Sequence, residues 1–79
     1  MVRFDCSRRG LVTLEGVDFP ENVTELDCSN NQLQSLEHCP PNVTRLYCSN
    51  NHIQSLEHCP PYVEFLWCDH NRLLPILDF

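Results

Sequence analysis

Apolar and polar positions recur along the chain with a period of about 20 residues. In the second period the spacing Val-x-x-Leu-x-Cys begins at Val23, and further apolar residues follow at Leu33 and Leu36. The Leu-x-Cys alternation is typical of a short strand with one buried face. The same spacing returns at Val43, Leu46, Cys48, Ile53 and Leu56, and again at Val63, Leu66, Cys68 and Leu73. The pattern therefore predicts one short strand in each period.

Four cysteines give the alignment of these periods. Steps of 22, 20 and 20 residues separate Cys6, Cys28, Cys48 and Cys68. A fixed period of this length indicates a stack of similar coils within one domain, because each coil buries its apolar side only against its neighbours. We expect a single domain over residues 1–79, with coils at about 1–22, 23–42, 43–62 and 63–79.

An asparagine follows three residues after the cysteine in the last three coils, at Asn31, Asn51 and Asn71. With it the spacing resembles the leucine-rich repeat, L-x-x-L-x-L-x-x-N-x-L. It is similar to the short 20-residue class of bacterial effector proteins, and more similar to the Cys- and Asn-rich repeats (LxCSNNxLxSL) of large DNA viruses and their protist hosts. The resemblance implies a mostly β fold: a short right-handed leucine-rich-repeat solenoid of about four coils, with a parallel sheet on its concave face.

The return segments contain prolines, as "CPP" at 39–41 and 59–61. Proline fixes φ and lacks a donor, so it suits an extended path better than a helix. A 20-residue coil also leaves little room for a helix. We therefore expect irregular, extended or 3₁₀ returns.

The recurring Cys and Asn are expected to be architectural. Cys28, Cys48 and Cys68 occupy inward strand positions, where a free thiol behaves as a small apolar group. Stacked in register, their Cβ vectors are parallel, which disfavours disulfides. We expect the asparagines to turn the chain after each strand and to point inward, where their amides satisfy backbone groups. The first coil has Arg9 in this place, as terminal repeats are often atypical.

Two copies of "EHCPP" offer a zinc ligand set, His38, Cys39, His58 and Cys59. Neighbouring residues of an extended segment point to opposite sides, so a cysteine facing the core leaves its histidine in solvent. Phe19 precedes a proline in the same way and supports a core role for these cysteines. We therefore predict no metal, no cofactor and no enzymatic activity, because no nucleophile is paired with a base in a pocket.

The net charge is −6 and the sequence contains no lysine, which argues against nucleic acid as the partner. No apolar stretch approaches the length of a membrane helix, and the start "MVRFDCSRRG" lacks a signal-peptide core. We expect no membrane and no small-molecule substrate, and a reducing, intracellular location, in the cytoplasm or in a virion, with free thiols.

The outward strand positions carry the candidate binding residues. They are charged in the first two coils and become aromatic in the last two, where Arg45, Tyr47, Phe65 and Trp67 are expected to lie together. Aromatic residues and Arg are enriched at interface hot spots. The alternative is that the rings only shield a short sheet from solvent, but a contiguous exposed apolar patch usually marks a contact.

The chain ends in the apolar segment "LLPILDF". A stack of coils leaves its last apolar layer open, and stable arrays need a cap there. We expect Leu74, Leu77 and Phe79 either to fold over this layer or to form assembly contacts with another subunit.

These features favour a non-enzymatic protein–protein interaction or structural module. The resemblance to viral repeats makes a minor component of a larger assembly, such as a virus capsid, the specific hypothesis. A substrate-recognition module of an effector-like protein is the alternative. A zinc- or redox-active mini-protein is the third reading.

Overall fold

The computed structural model describes residues 1–74, which form one four-stranded parallel sheet. The strands are β1 (Arg3–Asp5), β2 (Glu25–Asp27), β3 (Arg45–Tyr47) and β4 (Phe65–Trp67), and they are adjacent in chain order. No helix occurs in this part of the chain, and the segments between the strands are turns and extended stretches. The prediction of a mostly β solenoid with a parallel sheet and irregular returns is confirmed.

The register of the sheet matches the alignment on the cysteines. Arg3 pairs with Glu25, Glu25 with Arg45, and Arg45 with Phe65, so successive coils are offset by 22, 20 and 20 residues. In-register stacking places equivalent side chains of neighbouring coils side by side, at the strand spacing of about 4.8 Å. The columns of outward residues therefore exist as the sequence predicted.

The core lies on the inner side of the sheet. Leu26 and Leu46, at the centres of β2 and β3, are completely buried, and so are the thiols of Cys28 and Cys48 that follow. The remaining buried apolar residues are Cys6, Leu14, Val23, Leu33, Leu36, Val43 and Ile53. The inward strand residues and the thiols that follow them belong to one core cluster with the leucines and the isoleucine of the return segments.

Asn31, Asn51 and Asn71 form a ladder that joins each coil to the one before it. The Nδ2 of Asn31 donates to the carbonyls of Cys28 in its own coil and of Cys6 in the preceding coil, at 3.0 and 3.1 Å. Its Oδ1 accepts the backbone N–H groups of Arg9 and Leu11, both at 3.0 Å. The predicted inward amide is confirmed.

The ladder runs in one direction along the stack. Each asparagine bonds to the coil that precedes it, and Asn31 reaches the first coil, which has Arg9 in the asparagine position. Arg9 takes part instead through its backbone, as a donor to the Asn31 amide.

A second asparagine role was not distinguished in the sequence. Asn30 and Asn50 have φ of 59° and 56°, and Arg8 and His70 take the same left-handed conformation in the first and last coils. Asn tolerates this region better than most residues because its short polar side chain relieves the steric cost. In "CSNN" the first asparagine therefore bends the backbone and the second joins the coils.

The last coil is less covered than the others. Val63, Leu66 and Cys68 are half-buried, whereas their counterparts in the third coil are fully buried. Leu56 is 37% exposed although Leu36, its equivalent, is fully buried, so the recurring apolar position is not a core position in the third coil. The residue one period after Leu56 is at position 76, beyond the described part of the chain.

Candidate protein-binding surface

The outward face of the sheet is formed by alternate residues of the four strands and by the residues that follow them. Its columns are Arg3, Glu25, Arg45 and Phe65; Asp5, Asp27, Tyr47 and Trp67; and Ser7, Ser29, Ser49 and Asp69. Because the strands alternate, the intervening Phe4, Leu26, Leu46 and Leu66 point to the core. The sheet thus holds these columns at a fixed spacing on a rigid support.

The half of this face on β1 and β2 is charged and internally paired. The Arg3 guanidinium lies 3.0 Å from a Glu25 oxygen and 3.9 Å from an Asp27 oxygen. Arg3 is more than half exposed, so water screens these pairs and each contributes little to stability. Their effect is to neutralise the arginine and leave this half without a free cation.

The half on β3 and β4 carries the aromatic cluster of Tyr47, Phe65 and Trp67. The Tyr47 and Trp67 rings are stacked, with centroids 4.7 Å apart and planes inclined by 15°. Phe65 and Trp67 are 6.1 Å apart at 20°. The stacking follows from register, because the distance between neighbouring strands is close to the distance at which two aromatic rings stack.

The cluster is accessible to a partner. Trp67 is 45% exposed and Phe65 is 46% exposed, while Tyr47 is half-buried beneath its neighbours. The Arg45 guanidinium lies over the Phe65 ring, 5.0 Å from its centroid. The four residues predicted as partner-binding are therefore brought together in one patch; their role in binding stays a prediction.

Asp69 closes the aromatic half at the end of β4. The Ser49 hydroxyl donates to its Oδ1, and this hydrogen bond is the main reason why the pKa of the Asp69 carboxyl lies below its usual value. The His70 imidazole is 3.5 Å from the other carboxylate oxygen. Asp69 was not identified as a site residue in the sequence, although the break in the Ser7, Ser29, Ser49 column at this position was a usable signal.

The predicted assembly contacts are only partly placed. The side chain of Leu74 is 66% exposed, and its N–H donates to the Gln54 carbonyl at 3.1 Å. Leu77 and Phe79 lie outside the described residues. Their contribution to a cap or to an interface stays a prediction.

The cysteines are arranged as core residues. All six are free thiols, and burial raises the pKa of Cys39 and of Cys48 to about 12, and that of Cys28 still further. A thiol with a raised pKa forms little of the thiolate that acts as a nucleophile or metal ligand. The burial of Cys28, Cys39 and Cys48 therefore favours packing over thiolate chemistry at these three positions.

The histidines of the two "EHCPP" segments point away from these thiols. His38 and His58 are exposed, whereas Cys39 and Cys59 are half-buried against the core. Residues 1–74 contain no group of three or more His, Cys, Asp or Glu side chains placed to hold one metal ion. The expected separation is present, but the expected extended segment is wrong: a turn separates the two residue types, with His38 at a φ of 70° and the Cys39 N–H donating to the Leu36 carbonyl at 3.1 Å.

Comparison with known proteins gives one family. The family model for the Leucine Rich Repeat matches residues 22–43, which include β2 and the whole second coil. No curated protein and no solved structure matches the chain. Over residues 1–74 there is no helix of the length and hydropathy needed to cross a membrane.

Proposed function

Since the chain is a leucine-rich-repeat protein, we propose that it is a non-enzymatic module that binds a protein partner on the aromatic cluster. Leucine-rich repeats are generally protein interaction modules, and solenoids present extended surfaces for this purpose. The partner residues proposed are Arg45, Tyr47, Phe65 and Trp67. The proposal rests chiefly on one observation, the stacked and exposed rings on the rigid outward face.

The energetic argument favours a contact over simple shielding. Two rings that are each nearly half exposed leave apolar area in water, which a partner can cover at about 25 cal/mol per Å². The rings are already stacked and supported by two strands, so little side-chain freedom is lost on binding. Preorganised aromatic residues of this kind are typical hot spots.

A peptide-display selection against the folded, reduced protein tests this proposal. Peptides selected on the wild type are re-tested against Trp67→Ala, Phe65→Ala and the matched control Tyr62→Ala. Tyr62 is an aromatic residue at the end of the third coil and is more exposed than Trp67, but it lies on the return path and not on the outward face. The control therefore removes an exposed ring without altering the cluster.

The expected result is a loss of about 30-fold in affinity for Trp67→Ala, equivalent to about 2 kcal/mol at a hot spot. Tyr62→Ala should bind within twofold of the wild type. Circular dichroism confirms that each variant is folded. Selected peptides that bind Trp67→Ala as well as the wild type would contradict the proposal.

A narrower proposal places this module in a larger assembly, such as a virus capsid, inside a reducing compartment. The half-covered last coil, with Leu74 exposed, supports assembly, and the six free thiols support a reducing environment. Substrate recognition in an effector-like protein is the alternative, and it rests only on the similarity of the repeat. Light scattering after size exclusion tests assembly, and a monomer at all concentrations would count against it.

A further inference from the structure

We infer that the partner supplies an arginine, whose guanidinium stacks on the free face of Trp67 and pairs with Asp69. This inference rests on the proposed function, because it names the chemistry of the partner that docks on the aromatic cluster. It commits to a basic peptide segment of another protein. A lysine-containing segment and a second copy of this chain are outcomes of the test.

Within residues 1–74, one face of the Trp67 indole has no neighbouring ring in its column. Tyr47 covers the side of Trp67 that faces β3, at 4.7 Å. β4 is the last strand of the sheet, so no further strand within residues 1–74 covers the other side. A planar group arriving at this edge would continue the stack.

A guanidinium is the planar group that best suits the exposed face of Trp67. Trp is the best ring for cation–π contact, and its carbon face is electron-rich. The chain itself pairs guanidinium groups with rings at two places: Arg45 lies 5.0 Å from the centroid of Phe65, and Arg9 lies 5.8 Å from that of Phe4. Within residues 1–74 no cation lies over Trp67. Trp67, the largest ring of the outward face, is thus 45% exposed and has no guanidinium over it in the part of the chain that the structure describes.

Asp69 provides a carboxylate close to Trp67. Asp69 follows Trp67 by two residues, so both point outward, at about 7 Å along the chain. Its only basic neighbour in the described part is His70, which is charged only when protonated. Glu25 and Asp27, in contrast, are already paired with Arg3. Asp5 likewise has no ion pair with an arginine within 4.0 Å in residues 1–74, but it lies on β1, at the opposite end of the sheet, so Asp69 is the available carboxylate beside Trp67.

Arginine can contact Trp67 and Asp69 at the same time, whereas lysine cannot. A guanidinium is flat, so it can stack on the indole while its edge N–H groups donate to the Asp69 carboxylate. An ammonium is compact and strongly hydrated, and it cannot make both contacts in this way. The net charge of −6 attracts either cation over a distance, so it favours a basic partner but does not select arginine.

Trp67 is the single tryptophan of the chain, so its fluorescence reports on this contact directly. The probes are acetyl-Gly-Arg-Gly-Arg-Gly-amide and its lysine twin, which has the same charge. Both are titrated into reduced protein at low and at physiological salt. Asp69→Asn is compared with Asp5→Asn, which removes the same charge from the same face but at the opposite end of the sheet, on β1.

The arginine peptide should change the Trp67 emission saturably, with a dissociation constant on the order of 1 mM. The dissociation constant of the lysine peptide should be at least about threefold higher than that of the arginine peptide. Asp69→Asn should weaken the arginine peptide about threefold to fivefold, and Asp5→Asn less than twofold. Equal binding of the two peptides, or equal effects of the two variants, would overturn the inference in favour of attraction by net charge alone.

The peptides from the display selection separate this inference from the proposed function. Peptides that depend on Trp67 and are enriched in arginine support both. Peptides that depend on Trp67 but are not enriched in arginine would support the aromatic cluster as the binding surface and would refute the inference that the partner supplies an arginine. If light scattering shows that the wild type dimerises and that Trp67→Ala does not, the occupant is a second copy and the inference is wrong.

Discussion

Replacement of Asn51 by alanine should destabilise the fold more than any surface change. Asn51 is 4% exposed, and its amide bonds to backbone groups in two coils. The N–H of Leu33 donates to its Oδ1 at 3.0 Å, and its Nδ2 donates to the carbonyls of Cys28 and Cys48 at 3.1 and 3.0 Å. Removal of the amide leaves the Leu33 N–H buried and unpaired, whereas each carbonyl keeps one donor, from the Asn31 amide or the Asn71 amide.

The size of the effect follows from the cost of such groups. A buried donor without a partner costs about 1–3 kcal/mol, and each of the two lost hydrogen bonds to the carbonyls contributes about 0.5–1.5 kcal/mol. We expect a loss of about 2–5 kcal/mol from the free energy of unfolding, because partial relaxation makes these contributions less than additive. A domain of this size has a total of about 5–15 kcal/mol, so the variant should lose a large part of its stability.

Urea unfolding in reducing buffer, followed by far-ultraviolet circular dichroism and by Trp67 fluorescence, measures the change. The matched control is Asn50→Gly, which removes the neighbouring amide while it retains a residue suited to the φ of 56°. Asn50 is exposed, so its replacement should change the free energy of unfolding by less than about 0.5 kcal/mol.

A graded variant keeps the test informative if Asn51→Ala does not fold. Asn71 makes the same bonds one coil later but is only half-buried, so water can replace part of the amide. Asn71→Ala should cost about 1–3 kcal/mol. The reasoning fails if Asn51→Ala costs less than about 1 kcal/mol, or if Asn50→Gly is as destabilising as Asn51→Ala.

Three further predictions concern the core thiols and the charged half of the sheet. The pKa values of Cys28, Cys39 and Cys48 are raised in the folded state, so these thiols stabilise the fold fully below the unfolded-state pKa of about 9. As the pH rises from about 9 towards the folded-state pKa values, each thiol should lower the free energy of unfolding by up to about 1.4 kcal/mol per pH unit. Urea midpoints at about pH 8 and about pH 10 measure this loss. An unchanged midpoint at pH 10 would be contrary to burial of these thiols. Cys48→Ser should destabilise by about 1–2 kcal/mol more than Cys48→Ala, because it buries a hydroxyl in an apolar site, and the same unfolding assay compares the two. Arg3→Ala should cost less than about 1 kcal/mol, because its pair with Glu25 is exposed; a larger loss that disappears in 1 M salt would show that the pair matters more than its exposure suggests.

Much of the fold could be predicted from the sequence because each coil must bury its apolar side against its neighbours in the same way. A residue that recurs every 20 positions must occupy the same place in each coil, so the alignment of four cysteines predicted the strands and the register that the structure shows. The outward positions of Tyr47 and Trp67 followed from strand alternation alone. The contact between their rings followed from register.

Other features could not be read from the period. The two asparagines of "CSNN" are identical letters, and only backbone geometry separates Asn50, which bends the chain, from Asn51, which joins two coils. The exposure of Leu56 depends on what covers the end of the stack, which a repeating pattern does not specify. Asp69 gained its place in the site through its contact with Ser49, 20 residues away.

The sequence by itself determined which residues share a column, because period and alternation are properties of the chain. The tertiary structure decided which columns and coils interact, because hydrogen bonds and ring stacking depend on distance and direction in space. The ladder is the clearest case: the sequence placed an asparagine in three coils, but only the structure showed that each one binds the coil before it. That direction depends on which backbone groups of the neighbouring coil lie within hydrogen-bond distance of each amide, and a repeat period does not specify it.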